Sequence, residues 1–481
     1  MIDTYSIVSR FDRRARYLRR RYLLWQNAHL PDGVVLILVS LVIGLLTGAT
    51  AAWLKALIHW LANLLLLDID LRSPDYRLLL WPLFGIMLTA IFQRYVVRGS
   101  VSQGTLIIKQ DLDNRKYRLS PFTAFNPAIG CSATIGFGAS AGSEGPTALC
   151  GAAIGSNVGR WFGLSEAWLR LLVAIGGGAG ISAIFKSPMG GVLFTLEVLQ
   201  VRMSTLPVIA LIIACLIASS TAYMLSDFTF DIPFVMNMTF SPRMIGWMVL
   251  LGVFCGLYCI YYNYVKRQSE HFFLSIRNRW LAVLVTGGIM SICIFALPAL
   301  YGEGFRVITH LVNGESVSLA AGGLFARFSG IGWVYGGLIF ILLVKGILVS
   351  ASYSGGGVAG DFVPTLFAGA IAGTLFAMTC NDCFGTALPV WFFALTAMGA
   401  VMAGTIQAPI MSVFIMCETT NTYAYLFPYL ITVVTSYLVV RLLNPRTRRG
   451  TMGNNNFLAL MEGYKGYPPL RDRVRNADKK R

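Results

Sequence analysis

Gly142-Ser143-Glu144-Gly145-Pro146-Thr147-Ala148-Leu149-Cys150-Gly151-Ala152-Ala153-Ile154-Gly155 has an echo 218 residues later, reached without a gap. The echo reads Gly360-Asp361-Phe362-Val363-Pro364-Thr365-Leu366-Phe367-Ala368-Gly369-Ala370-Ile371-Ala372-Gly373, and it repeats the Gly, Pro, Thr, Gly, Ala and Gly of the first copy in register. A second echo follows. Pro188 precedes Glu197 by nine residues, and Pro409 precedes Glu418 by nine, with the prolines 221 residues apart. Two matches at nearly constant separation divide the chain into two similar halves. Each copy has proline in a predicted first helical turn, where its missing N–H is no loss. Each also has glycine, which lets backbone approach closely. Paired Gly/Pro-interrupted segments in corresponding places of two halves predict a site near the membrane midplane, built from broken helices.

Glu144 has no other charged residue for company between Ile129 and Gly159. A carboxylate in such surroundings is costly and points to an ion or proton path. A helix starting at Pro146 turns its free amides and positive dipole end toward an anion, and the Glu144 carboxylate is a built-in one. The alternative is a helix-capping glutamate that faces a loop.

The composition sets the setting. The chain has 481 residues, of which 56% are hydrophobic and 13% charged, with a mean hydropathy of +0.65. That balance fits a polytopic membrane protein and not a soluble one. Apolar stretches run through 34–67, 78–97, 168–185, 206–225, 244–264, 280–301, 333–350, 391–404 and 426–443. Several are too short to cross a core of roughly 30 Å, so half-spanning or tilted helices are expected. The net charge of +17 gathers at the ends, in Arg13, Arg14, Arg16, Arg19, Arg20 and Arg21 and again in Arg441, Arg446, Arg448 and Arg449. Beside membrane spans such clusters mark cytoplasmic flanks more simply than nucleic-acid contacts. Both termini are therefore expected inside, with an even number of crossings, and the N-terminus does not read as a secretory signal.

Chemistry of other kinds finds little support. The nine cysteines are scattered, mostly in apolar segments, where they read as small core residues. Cys380 and Cys383 form one C-x-x-C, weak for zinc without a second pair and compatible with a loop disulfide or with nothing. His29, His59, His271 and His310 are dispersed. No Ser-His-Asp set, phosphate-binding loop or dinucleotide fingerprint is present, so neither an enzyme nor a cofactor is expected.

At these residues the chain resembles the CLC family of chloride channels and chloride/proton antiporters, of the prokaryotic type without C-terminal CBS modules. Gly142-Ser-Glu-Gly-Pro146 resembles the family's G-[KR]-E-G-P element, Gly360-Asp-Phe-Val-Pro364 its G-x-F-x-P element, and Ala408-Pro409 with Glu418-Thr-Thr-Asn-Thr-Tyr423 its late stretch. Tyr301-Gly-Glu-Gly304 and Lys345 also fall where the family pattern places such residues. The resemblance implies an all-α integral membrane protein with two inverted repeats and tilted or half-spanning helices. It also implies a homodimer with one pore per subunit, set in lipid, with no nucleic-acid partner, and located in the cell (inner) membrane. It divides the chain into a basic cytoplasmic segment (1–32), a transmembrane domain (33–445, halves roughly 33–225 and 242–445) and a basic cytoplasmic tail (446–481). Glu144 would be the gate, displacing chloride when ionised. Gly145 and the amides of Asp361 and Phe362 would hold the anion, with the Asp361 side chain turned away.

Departures from the family pattern shape the functional expectation. The G-S-G-I-P element survives only as Gly99-Ser100-Val101-Ser102-Gln103. Ser100 is the simplest match to the anion-coordinating serine; a one-residue shift would put Gly99 there, and Ser102 is a further hydroxyl in reach. No tyrosine occurs between Tyr425 and Tyr464, so the usual inner gate, which would fall near Arg449, is not expected. Glu197-Val198 stands where well-known antiporters carry Glu-Glu, and valine cannot carry a proton. Glu197 is then either a proton-path candidate, with Glu144, or a buried structural carboxylate. These points favour chloride conduction of a channel kind gated by Glu144. The alternative is a chloride/proton antiporter whose proton path lacks the usual internal glutamate. A fluoride exporter and a non-transporting sensor on the same scaffold stand behind both.

Overall fold

A computed structural model describes residues 30–66, 75–226, 232, 240–314 and 331–444. The arginine clusters at 13–21 and 446–449 lie outside the described residues, as does the place near Arg449 where an inner-gate tyrosine was sought. The first half contains α1 (Asp32–Leu66), α2 (Arg77–Phe92), α3 (Gly104–Asp113), α4 (Asn126–Gly136), α5 (Glu144–Trp161), α6 (Glu166–Phe185), α7 (Pro188–Leu193) and α8 (Thr205–Met224). The second contains α9 (Ile245–Ser275), α10 (Arg279–Ala296), α11 (Phe305–Val312), α12 (Ile331–Ser354), α13 (Phe362–Phe384), α14 (Val390–Ile406), α15 (Pro409–Thr419) and α16 (Leu426–Leu443). Short π-helical turns extend α2 over Gln93–Val97 and α7 over Phe194–Val198. Among the described residues there is no strand, only one isolated bridge between Gly142 and Gly360.

The two halves repeat each other's packing. In the first, α5 lies on α6 and α1 on α8; in the second, α13 lies on α14 and α9 on α16. The halves meet through matching elements, α2 with α10, α7 with α15 and α5 with α13. The repeated glycines explain why both copies needed them. A Cβ built on Gly151 would stand 2.1 Å from the Gly176 carbonyl oxygen, and one on Gly155 would stand 2.0 Å from that of Leu172. In the second half the same atoms on Gly369 and Gly373 would meet the carbonyl oxygens of Ala397 at 2.6 Å and Phe393 at 2.2 Å. Backbone contacts backbone at both places, the means by which helices associate where hydrophobic driving force is absent.

Among the described residues, nine helices are long and apolar enough to cross a membrane. They differ in their surroundings. The apolar window of α6 is 94% buried within the protein, that of the π-extended α2 only 28%. Thus α6 is an interior helix, while α2 turns most of its apolar surface outward, with Leu80 and Phe84 exposed. The helices α7, α14 and α15 are apolar but shorter, as expected of segments that cross only part of the bilayer. Cys380 and Cys383, for which the sequence left a loop disulfide or no role open, sit on the last turns of α13 as free thiols.

Candidate anion-transport site

Three helix starts converge where the repeated motifs break the chain. Ser143 precedes α5 and Asp361 precedes α13 as their N-cap residues. The Thr147 hydroxyl donates to the Ser143 carbonyl at 2.7 Å, and the repeated Thr365 hydroxyl donates to that of Phe362 at 2.6 Å. Immediately before these starts the two halves clasp one another. The Gly142 N–H donates to the Gly360 carbonyl at 3.2 Å, and the Gly360 N–H donates to the Gly142 carbonyl at 2.6 Å. The start of α3 closes in from a third direction, since the Ala359 N–H donates to the Ser102 carbonyl at 3.1 Å.

The Glu144 side chain lies in this junction with no exposed surface. Its Oε1 accepts the Phe362 N–H at 2.5 Å, so the carboxylate occupies the free amide at the start of α13. Its Oε2 has no hydrogen-bond partner among the described residues. Both bridging glycines are needed for this pose. A Cβ on Gly142 would stand 2.1 Å from Oε2, and one on Gly360 would stand 2.2 Å from Oε1. A negative group at a helix N-terminus is favoured by the unpaired amides and by the dipole. The place that holds this carboxylate is by the same physics a place for an anion.

The other sequence candidates are distributed as follows. Gly145 packs close to Gly360 and to the start of α3 at Gly104. Phe362 is buried, with its ring 5.9 Å from that of Phe194. The Asp361 carboxylate is turned to α9, where it accepts from the Tyr262 hydroxyl at 2.9 Å and pairs with Lys266. Ser100 is exposed, and its hydroxyl bonds to that of Ser102 at 3.3 Å. Ser102 is the one tied into the junction, through its carbonyl on Ala359 and its hydroxyl on the Gln93 side chain at 3.2 Å. Two serines two residues apart gave the sequence no way to choose between them.

Glu197 does not join the junction. It accepts the N–H groups of Ile410 at 3.3 Å and Met411 at 2.8 Å, capping α15. Glu418 does the same for α7, accepting from Met189 at 3.0 Å and Gly190 at 3.3 Å and from the Ser187 hydroxyl. Each Pro-to-Glu spacing noted in the sequence therefore belongs to a carboxylate that caps the other half's short helix.

One participant carried no role in the sequence reading. Glu303, buried before α11, accepts the Ser143 N–H at 3.1 Å and the Ser143 hydroxyl at 2.6 Å, and its other oxygen takes Lys55 at 3.0 Å. It holds the residue next to Glu144. The segment Tyr301-Gly-Glu-Gly304 was conspicuous in the sequence, but its partners lie 160 and 248 residues away. Lys345 is buried on α12, donating to the Ser140 hydroxyl at 2.8 Å over the Phe367 ring.

Inverted halves, broken helices and amides aimed at one buried point define a membrane protein that transports anions. The chain belongs to the family described as voltage gated chloride channel, whose sequence profile matches residues 84–441. It is similar to the H(+)/Cl(-) exchange transporter ClcA of Citrobacter koseri, 27% identical over 458 residues that cover 92% of this chain and 91% of the relative. The protein of the same name from Salmonella arizonae is 28% identical over the same coverage. Among solved structures the fold is like that of a slow cyanobacterial Cl−/H+ antiporter, with a TM-score of 0.71, 23% identity, and coverage of 88% of this chain and 99% of that one. A CLC-type fluoride/proton antiporter follows at a TM-score of 0.67 and 20% identity, covering 85% and 96%.

Proposed function

We propose that this protein exchanges chloride for protons, with Glu144 acting in turn as the occupant of the anion site and as a proton carrier. The observation that carries the reading is the Glu144 carboxylate on the Phe362 N–H. When ionised, the side chain competes with chloride for that amide. When protonated, it loses the charge-assisted part of the bond and yields the site. One residue thus links proton binding to anion binding. The named relatives that span nine-tenths of the chain are exchangers, which supports this reading over the channel-like conduction expected from Val198. The physical reason for the reversal is plain: valine removes one proton carrier, but water or another side chain can supply a path. In this reading Gly145, Asp361 and Phe362 contribute backbone to the anion cradle. Ser102 replaces Ser100 beside it. Glu197 is a cap, the subunits pair as homodimers in the cell membrane, and both termini face the cytoplasm.

The test is reconstitution in liposomes under an imposed chloride gradient, with chloride and proton fluxes recorded together. Uphill proton movement at a fixed ratio to chloride is the expected result. Chloride movement with no proton coupling would restore the channel reading.

A further inference from the structure

A serine or an aspartate at the N-cap of a helix normally turns its side chain onto the amides of that helix. Ser187 does so ahead of α7, accepting the Gly190 N–H at 3.1 Å. Ser143 and Asp361 do not. They hold the same place in the two repeats, 218 residues apart, as the N-cap residues of α5 and α13. Both are residue types suited to capping, yet neither side chain bonds its own helix. Each is drawn elsewhere. The Ser143 hydroxyl donates to Glu303 at 2.6 Å. The Asp361 carboxylate accepts from the Tyr262 hydroxyl at 2.9 Å and pairs with Lys266.

Tyr262 and Lys266 lie four residues apart on α9, and so on one face of it. Tyr262 is fully buried. Gly346 brings α12 against this stretch, since a Cβ built there would stand 3.2 Å from the Tyr262 carbonyl oxygen. The two donors are thus placed by packing that does not involve Asp361. The residues after Asp361 show what the diversion spares. A capping side chain bonds the second or third amide of its helix. The third residue of α13 is Pro364, which has no N–H, so Val363 is the amide left to a capping carboxylate. Its neighbour is Phe362, whose N–H the Glu144 carboxylate takes. An Asp361 carboxylate set free would fall on this same helix start and bring a second negative charge to it.

We propose that Tyr262 and Lys266 are positioning residues that keep the anion site open, by holding Asp361 off the helix it would otherwise cap. Lys266 does most of this, because a charged donor binds a carboxylate more strongly than a phenol does. It also balances the Asp361 charge, which covalent geometry keeps within about 5 Å of the Phe362 nitrogen. The Lys266 and Asp361 side chains are only 22% and 25% exposed, so salt screens them less than a surface pair. The inference rests on the anion site proposed above at the Phe362 amide, and its test separates the two.

Chloride affinity is measured by calorimetry in the Glu144→Gln background, where no glutamate charge competes for the amide. Adding Lys266→Met is expected to weaken chloride binding at least about tenfold. Lys266→Arg keeps the charge and should stay within about threefold. Adding Asp361→Ala to Lys266→Met deletes the freed carboxylate and should restore affinity to within about twofold of the background. A merely structural tie would not give that recovery, since a lost cross-link is not regained by deleting its second partner. Unchanged affinity in Lys266→Met overturns the proposal, as does a double variant as weak as Lys266→Met alone. Should Lys266→Met not elute as wild type, Lys266→Gln takes its place under the same two criteria. A Glu144→Gln protein that binds no chloride, or binds it equally well with Phe362→Pro added, would instead defeat the anion site itself.

Discussion

Glu144 and Phe362 occupy the same position in their respective repeats, 218 residues apart, and the carboxylate of the first takes the backbone N–H of the second at 2.5 Å. Duplication gave the site two equivalent helix starts. One kept an acidic side chain and the other offers its amide, so in the exchange proposed above the protein supplies both the competitor and the place competed for.

The direction of the pH effect follows. An ionised Glu144 holds the amide against chloride and a protonated one does not, so anion flux in wild type should rise as pH falls. Glu144→Gln removes the charge at every pH, and its flux should be flat across pH and at least equal to that of wild type. Liposome efflux at a series of pH values measures both. A correctly folded mutant with the wild-type profile would remove Glu144 from the gate.

The bridging glycines make a subtler version of the same test. The added methyl of Gly142→Ala meets only the far end of a flexible side chain, the Glu144 carboxylate, which can swing away. Its flux should therefore shift toward that of Glu144→Gln. Gly151→Ala meets a carbonyl oxygen that cannot retreat, and should instead lower stability by about 1–3 kcal/mol. Thermal unfolding in detergent, set beside efflux, separates the two outcomes.

Anion affinity should depend on the Phe362 backbone more than on its ring. Phe362→Leu keeps the N–H and should change chloride affinity by no more than about threefold, whereas Phe362→Pro deletes the donor and should weaken it at least about tenfold. Calorimetry on folded protein compares them. Equal affinities would dismiss the amide cradle.

Glu197 and Glu418 should behave as a matched pair. Each caps one short helix through two backbone amides, so Glu197→Ala and Glu418→Ala should each cost about 1–2 kcal/mol of stability. Neither should alter the proton-to-chloride ratio. A selective loss of proton flux in Glu197→Ala would return that residue to the proton path.

What the sequence revealed is what local backbone chemistry determines. Helix starts at Pro146 and Pro364 announce themselves because proline and glycine restrict φ and ψ in known ways. The repeat is visible because both copies need glycine where helix backbones touch. The register of the Ser100 region stayed open in the sequence, since an irregular loop with two serines has no periodicity to fix it. Glu303 went without a role for a different reason. Its contact with Ser143 depends on how distant segments pack, and nothing near residue 303 encodes that. Val198 argued for conduction from one missing side chain, a narrower footing than the named exchangers that support the exchange proposed above.

The exchanged caps also bear on how the chain is made. The start of α7 finds its carboxylate on Glu418, more than two hundred residues downstream. While the ribosome is still making the second half, the Met189 amide lacks this carboxylate and the Gly190 amide keeps only the Ser187 hydroxyl at 3.1 Å, and unpaired backbone donors are costly in lipid. The first half is thus an incomplete product until the last helices arrive. Translation arrested between the halves should leave a species that is inserted yet unusually open to chaperones and proteases at residues 187–190.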